Sequence, residues 1–349
     1  MARALSYGME EKGAGLGWGR ETTWGTEVAR EANLWVPVVR EDVKFRRPLL
    51  KRSAIFCRGN APGFHRSARH AGVADVVGNL TMEFNYDGLN ALLCNYFGDA
   101  TVTEPVASTA WQFAYGDDVE PGHSLTMELL RHQNSLELYG VDLTTMRIAV
   151  ADPNPLQIIF GLMAKNAEKQ ASAPEPSWVT DLPALTQHLK LEVDVGGGYV
   201  ALDFDDFSLE GDRRLGRRQA HDGSSLTIRR PHREGFANWR GTVSRLYGEQ
   251  DTGVFGVDDI YDEFLAGQTT GIAMKFTATG ALISGSTYYK LTIEMPNVVM
   301  LDTGPITEDE GPRKEMIEFE ADADSDDKAV EVTVVCTEDP SLWTSNPIT

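Results

Sequence analysis

Apolar and polar residues alternate along many short stretches of this chain, which is the pattern of strands with one buried face. LKLEVDV at 189–195 is the clearest case, and the GGG that follows it predicts a hairpin turn with YVALDF as the returning strand. The other stretches of this kind are LTMEF (80–84), SLTMELL (124–130), LELYGVDL (136–143), YYKLTIEM (288–295), MIEFEA (316–321) and AVEVTVV (329–335). The sequence therefore predicts a mainly β protein.

Two segments have a helical period instead. Leu89, Leu92, Leu93, Tyr96 and Phe97 form one apolar face, with Asp87 as the predicted N-cap and Gly98 as the stop. The same spacing recurs, shifted by 168 residues, at Val257, Ile260, Tyr261, Phe264 and Leu265.

The repeated helix spacing is part of a longer repeated order, which predicts an internal duplication. In each half a basic segment comes first, and then a strand led by glycine, GNLTMEF at 78–84 and GTVSRLY at 241–247, precedes the helix. Long strands follow in both halves. The predicted organisation is an N-terminal arm, a first β domain with a flanking helix, a linker rich in Ala, Pro and Ser, and a second such domain, with bounds 1–33, 34–165, 166–183 and 184–349.

The chain of 349 residues has a net charge of −20, and the excess of acids lies in its second half. Residues 1–165 hold 16 bases and 19 acids, which leaves 16 bases and 33 acids for residues 166–349. This balance disfavours sequence-specific nucleic-acid binding, which needs Lys and Arg against phosphates. No apolar run predicts a signal peptide or a membrane span.

No sequence pattern for catalysis or for cofactor binding is present. The glycines of GAGLGWG (13–19) have neither the preceding strand nor the following helix of a phosphate-binding loop. The seven histidines are scattered, and the three cysteines form no CxxC pair. We therefore predict a protein that is not an enzyme and that uses no cofactor and no metal.

Two basic segments stand out from the acidic background. Residues 40–70 contain nine Lys or Arg, and residues 213–233 contain seven Arg. Concentrated basic loops favour an acidic partner surface, and the rest of this chain is such a surface. The simplest predicted partner is another copy of the same chain.

The stretch GLGWGRETTWGTEVA (15–29) resembles the N-terminus of phage tail tube proteins of the non-contractile, siphophage type, which often carry a G-x-E-T-x-W/Y-G-T run. Gly19, Glu21, Thr22, Trp24, Gly25 and Thr26 stand at those positions, and the order of the later strands is also similar to that family. The resemblance implies a β-sandwich or barrel whose rings stack into a hollow tube through which the genome leaves. It also implies a virion protein that assembles in the host cytoplasm, contacts other tail proteins and lets DNA pass without binding it.

Under that resemblance, two duplicated domains predict a ring of three chains with pseudo-sixfold symmetry, with six chains as the alternative. The arm and the basic loops are the predicted subunit interface, through Trp18, Arg20, Glu21, Trp24, Arg46, Arg47, Arg52, Phe64, Arg213, Arg214, Arg217, Arg229 and Arg230. Candidates for an acidic lumen are Glu192, Asp194, Asp203 and Asp205. Two other functions stay open: another tail component with the same fold, such as a terminator or baseplate hub, and a carbohydrate-binding β-sandwich that stacks exposed tryptophans on sugars.

Overall fold

The computed structural model describes most of the chain in thirteen stretches. These are residues 14–29, 35–51, 69–98, 100–116, 122–131, 135–151, 154–170, 177–194, 198–219, 227–246, 272–306, 314–323 and 328–342. The predicted second helix at 257–265 lies outside them, as do Arg52 and Phe64.

Strands dominate the described residues, which confirms the predicted mainly β class. The first half and the segment after it contain β1 (Ala14–Arg20), β2 (Val36–Val38), β3 (Arg40–Glu41), β4 (Lys44–Arg46), β5 (Leu49–Lys51), β6 (Arg69–Ala71), β7 (Asp75–Glu83), β8 (Thr101–Val106), β9 (Ala110–Gly116), β10 (Leu125–Leu130), β11 (Leu136–Ala151), β12 (Gln157–Ala164) and β13 (Asn166–Lys169). The second half contains β14 (Leu189–Asp194), β15 (Val200–Leu202), β16 (Asp206–Asp212), β17 (Leu215–Gln219), β18 (Ile228–Arg233), β19 (Asn238–Leu246), β20 (Ile272–Ser284), β21 (Thr287–Ile306), β22 (Lys314–Ala321) and β23 (Glu331–Cys336). Each stretch predicted from alternation falls on one of these strands, and β14 and β15 form the predicted hairpin.

One antiparallel layer, which we call the wide sheet, has eight strand positions, one of them shared by β3 and β4. Its order is β3 and β4 at one edge, then β7, β12, β11, β16, β19, β22 and β21. The first half supplies β3/β4–β7–β12–β11, and the second half supplies β16–β19–β22–β21. In the same spatial order, β3/β4, β7, β12 and β11 therefore correspond to β16, β19, β22 and β21, with β7 and β19 as the predicted glycine-led strands and β11 and β21 as the long strands.

Two long strands connect the wide sheet to the rest of the fold. The N-terminal half of β11 pairs with β10 and β13, and β10 pairs with β1, which in turn pairs with β2. The N-terminal half of β21 pairs with β20 and β23, extending to β14 and β15 on one side and to β9 and β8 on the other. Because each long strand belongs to two sheets, the sheets enclose a shared interior.

The helix α1 (Asn90–Phe97) lies inside this interior with every residue buried, and it ends at Gly98 as predicted. Its start differs from the prediction. Asp87 is not the N-cap, because its carboxyl group accepts hydrogen bonds from Thr337 N (2.9 Å) and Thr337 Oγ1 (2.8 Å). Leu89 occupies the N-cap position without a side-chain cap, and the buried Glu338 accepts from Gly88 N, just before the helix, at 3.0 Å and from the Asn90 side chain.

One hydrophobic core unites both halves of the chain. The Phe97 ring of α1 stacks on Trp239 of β19 with centroids 5.6 Å apart, and Phe207 stacks on Phe276 at 4.6 Å. The glycine that leads β7 also has a packing role. A Cβ on Gly78 would lie 2.4 Å from the Val43 Cα, so only glycine lets the chain before β4 approach β7 this closely.

The structure differs from the predicted organisation at two places. Residues Ala14–Arg20 of the predicted arm form β1, a strand paired on both sides, rather than an extension outside the β domain. Residues Asn166–Lys169 of the predicted linker form β13, which pairs with β11. The hydrogen-bonded sheet is continuous from the first half to the second, through β11 and β16. The duplication itself stays a prediction.

Candidate assembly surfaces

The residues that carry the resemblance form a loop held tightly to their own chain. Glu21 is buried, and its two carboxyl oxygens accept four hydrogen bonds. The donors are the amides of Gly25 and Gly140, each at 2.7 Å, and the hydroxyls of Ser124 (2.8 Å) and Thr126 (2.9 Å). Since these donors come from the loop itself, β10 and β11, one carboxyl group ties three segments together.

Trp24 closes the same loop from the outside. Its indole N–H donates to Asp142 Oδ2 at 3.2 Å, and the Lys165 ammonium lies 5.4 Å from the centre of its ring. Gly140 has φ +64°, and a Cβ there would lie 2.9 Å from the indole, so glycine is required on both counts. The motif is therefore a structural clasp within one chain.

Two residues of the predicted interface, Trp18 and Glu21, have side chains that are buried within their own chain. The interface itself stays a prediction. Arg20 is partly buried and contacts His123, with 2.8 Å between the guanidinium and Nε2. Trp24 keeps partial exposure.

The two basic segments, far apart in sequence, meet at one buried acid. Asp75 begins β7, and its Oδ2 lies 3.3 Å from Arg46 of the first segment and 3.2 Å from Arg217 of the second. Arg217 also donates to the Val73 carbonyl at 2.7 Å. Asp75 was not among the predicted site residues, although it lies only three residues before the predicted glycine-led strand at 78–84.

A second buried acid, Asp142, binds another arginine of the second segment, Arg230. Arg230 donates to Asp142 Oδ1 at 3.1 Å and to the Gly122 carbonyl at 2.7 Å. Burial raises the pKa of Asp142, while the facing Arg230 opposes that rise. Asp142 therefore links Arg230 to the Trp24 clasp.

Arg213, another residue of the predicted interface, has its contacts inside the chain. It is buried, donates to the carbonyls of Asn95 (2.9 Å) and Leu143 (3.2 Å), and lies over the Tyr96 ring. Burial lowers the pKa of its guanidinium. Its guanidinium group therefore satisfies buried carbonyl groups near the end of α1.

The remaining basic residues of the predicted interface are on the surface. Arg47 is exposed and lies over the Phe45 ring, with its Cζ 5.4 Å from the centroid. Arg214 and Arg229 are exposed as well, and Arg214 adopts φ +50°. These side chains remain available to a partner.

The predicted lumen candidates divide into two pairs. Glu192 and Asp194 lie on β14, where Glu192 pairs with Lys190 at 2.7 Å and Asp194 accepts from Gly198 N at 2.9 Å. Asp203 and Asp205 follow β15, beside the start of β16. These acids lie on β14 or just after β15, and none is on a strand of the wide sheet.

A larger charged surface lies on the outward face of the wide sheet. Across it, Arg147, Glu210, Arg240 and Glu320 follow one another in register on β11, β16, β19 and β22. Among the side chains described on β16, β19 and β22, the outward positions carry five acids and one base: Asp206, Glu210, Asp212, Glu318, Glu320 and Arg240. The alternation in DFSLEGD (206–212) is a sequence signal that could have identified this face.

The two ends of the strands in the wide sheet differ in charge. Asp75, with Arg46 and Arg217, lies at the end where β16 finishes and β19 begins, and we call it the basic end. The opposite end carries Glu83, Asp203, Asp205 and Asp206, and we call it the acidic end. The two ends of the molecule along the strand direction therefore carry opposite excess charge.

The wide sheet also has two open edges in the described part of the chain. At one, β3 and β4 pair only with β7, and the exposed side chains of Val39 and Phe45 lie there. At the other, residues 299–306 of β21 pair only with β22, and Leu301 and Met316 are exposed beside them. An unpaired edge with exposed apolar residues is a site for pairing with another chain.

The described residues contain no helix long and apolar enough to cross a membrane, and no cluster of His, Cys, Asp and Glu suited to a metal ion. No curated protein matches the chain. The family model described as phage tail tube protein matches residues 12–323, nearly the whole sequence. With its β-rich fold and the matched span, this chain belongs to the phage tail tube protein family.

Proposed function

We propose that this chain, a structural component of a phage tail tube by family membership, is the tube subunit itself. In this proposal three copies close into a ring with pseudo-sixfold symmetry, and stacked rings conduct DNA during ejection. This proposal also places the protein in the host cytoplasm while tails assemble.

The observation that carries the proposal is the repeated strand order of the wide sheet. β11, the long strand at the end of the first half's share of the wide sheet, pairs over seven residue pairs with β16, which begins the second half's share. The open edge of β21 is the counterpart of β11, and the open edge of β3 and β4 is the counterpart of β16. A second copy placed against β21 through its own β3/β4 edge repeats inside the ring the junction that already exists inside the chain.

The edges support this junction chemically. Leu301 and Met316 at one edge are 45% and 40% exposed, and Val39 and Phe45 at the other are 56% and 45% exposed. Pairing would bury these side chains and satisfy edge backbone groups. The contact is heterologous, so it forms a closed ring when the rotation per chain closes.

The outward face of the wide sheet is the proposed wall of the bore. Its acids on β16, β19 and β22 outnumber its bases, and three chains carry a total charge of −60 (3 × −20). DNA has one phosphate charge per about 1.7 Å, and a like-charged wall within a Debye length of about 8–10 Å repels it. This face is a better wall than the four acids predicted from sequence, because closure through the sheet edges places the whole layer around the ring.

Negative-stain electron microscopy of the purified full chain tests the proposal. We expect hollow rings and tubes, with end-on class averages showing three repeats of a two-lobed unit. Monomers alone at high protein concentration, from low to high salt, would contradict it. Single rings that never stack would indicate a terminator instead of a tube subunit.

A further inference from the structure

A single aromatic side chain projects from the basic end. Phe236 lies in the loop of residues 234–237 between β18 and β19, and it is 93% exposed. The loop is closed by a hydrogen bond from Glu234 N to the Arg214 carbonyl at 2.9 Å, and Arg214 N donates to Asp212 Oδ1 at 2.7 Å. Phe236 is therefore presented on a loop that is already held in shape, which lowers the entropy cost of binding.

A groove of ≈ 450 Å³ lies at the acidic end. Leu189, Leu202 and Phe204 form its apolar part, and Asp203 and Asp205 stand on its rim. Phe204 is half-buried, with its ring edge-on to Phe207 at 6.4 Å between centroids. An aromatic partner in this groove would extend an existing aromatic cluster.

The loop and the groove lie at opposite ends of the same strand pair. Asp212 pairs with Asn238 at the end near Phe236, and Asp206 pairs with Ser244 at the end near the groove. Asp205 N donates to the Ser244 carbonyl at 2.8 Å, which fixes the groove to that end of β19. Seven residues of strand separate the two ends by roughly 20 Å, so one copy cannot fill its own groove.

The charges around the two surfaces are complementary. Arg214 and His232 are exposed beside Phe236, while the side chain of Glu234 turns back against Gly216 of its own chain. The rim of the groove has two aspartates, and Lys190, the base that also lines it, is paired with Glu192. An apolar loop tip with an exposed arginine, Arg214, beside it thus matches an apolar groove with an acidic rim.

We infer that Phe236 of one copy docks into the Phe204 groove of a second copy, and that this contact joins one ring to the next. A head-to-tail contact between opposite ends of a molecule repeats without closing and so produces a filament. The inference rests on the proposed tube function, since it names the axial contact of that tube. Phe236 is its aromatic anchor, of the kind that dominates interfaces.

Disulfide trapping tests the contact directly in the full-length chain. Copies carrying Phe236→Cys are mixed with copies carrying Ala201→Cys, both in a Cys57→Ser background, because Cys94 and Cys336 are buried. Ala201 lines the groove, and oxidation is expected to give a linked heterodimer. Arg214→Cys is the matched control: it is exposed but lies at the basic end beside the Phe236 loop, so a second copy carrying it is expected to remain unlinked to Phe236→Cys. Equal linking of both pairs, or of neither, overturns the inference.

Assembly gives a second readout. Phe236→Ser is expected to raise the protein concentration needed for tubes at least tenfold while rings still form. Arg214→Glu and Asp203→Arg should each weaken stacking, and together they should restore part of it. Wild-type tubes with an unchanged Phe236→Ser variant overturn this inference alone, whereas a wild-type chain that forms neither rings nor tubes overturns the proposed function as well.

Discussion

Replacing Glu21 by alanine removes the acceptor that ties the N-terminal loop to β10 and β11. Four hydrogen bonds disappear, and the amides of Gly25 and Gly140 lose their partner. The hydroxyls of Ser124 and Thr126 can rotate toward other acceptors, whereas the two amides cannot. The cost therefore comes mainly from the amides.

The expected loss follows from the price of a buried donor without an acceptor, about 1–3 kcal/mol each. Two such amides give a loss of about 4 kcal/mol in the free energy of unfolding. At about 2.1 cal/mol/K of unfolding entropy per residue, a chain of this length loses about 5 °C in Tm. Urea titration followed by circular dichroism measures the first quantity, and thermal unfolding measures the second.

Two variants accompany this experiment. Glu21→Gln keeps the shape but places an amide nitrogen where one oxygen accepted, so we expect about half the loss. Glu27→Ala removes an exposed acid nearby and should stay within about 0.5 kcal/mol of the wild type. If Glu21→Ala kept wild-type stability and lost only ring formation, the loop would serve a subunit contact, and the reasoning from burial would be refuted.

Three further outcomes are expected. Burial raises the pKa of Glu338 from 4.5 to about 8, so between these pH values the folded chain holds a proton that the unfolded chain has lost. The contribution of this group to stability is therefore full below pH 4.5 and declines as pH rises to about 8. Glu338→Gln should flatten that decline in urea titrations at several pH values. Leu301→Asp should prevent ring closure in sedimentation and microscopy without unfolding the chain, because it puts a charge in the proposed junction between the β21 edge and the β3/β4 edge of the next copy. Leu282→Asp, which is also at an exposed position but on the β20–β21 hairpin, should still form rings. Rings from both variants would exclude the β21 edge as the junction. Arg213→Lys should lower the free energy of unfolding by about 1–3 kcal/mol, since lysine lacks the planar guanidinium that lies over Tyr96 while its Nη1 donates to both carbonyls, and an unchanged urea midpoint would contradict that role.

The distribution of charges in the sequence predicted the charged surface only in part. The concentration of arginines at 213–233 predicted a surface, yet Arg213 is buried and Arg217 and Arg230 are paired with Asp75 and Asp142. These acids lie 142 and 88 residues from their partners, by subtraction of the residue numbers. A composition count cannot distinguish an exposed arginine from one neutralised across such a separation.

Local sequence was sufficient for the elements themselves. Alternation at period two located the strands, and the spacing of Leu89, Leu92, Leu93 and Phe97 located α1, because both patterns follow from backbone geometry within a few residues. Gly98 ended the helix as expected, and the GRETTWGT run (19–26) indicated the family that the family model confirms. Tertiary structure alone decided which strands meet, such as β11 with β16 and β1 within the sheet instead of outside it. It also decided that Asp87 binds Thr337 instead of capping the helix. Such choices depend on the free energy of the whole core and on partners distant in sequence, and no short stretch contains that information.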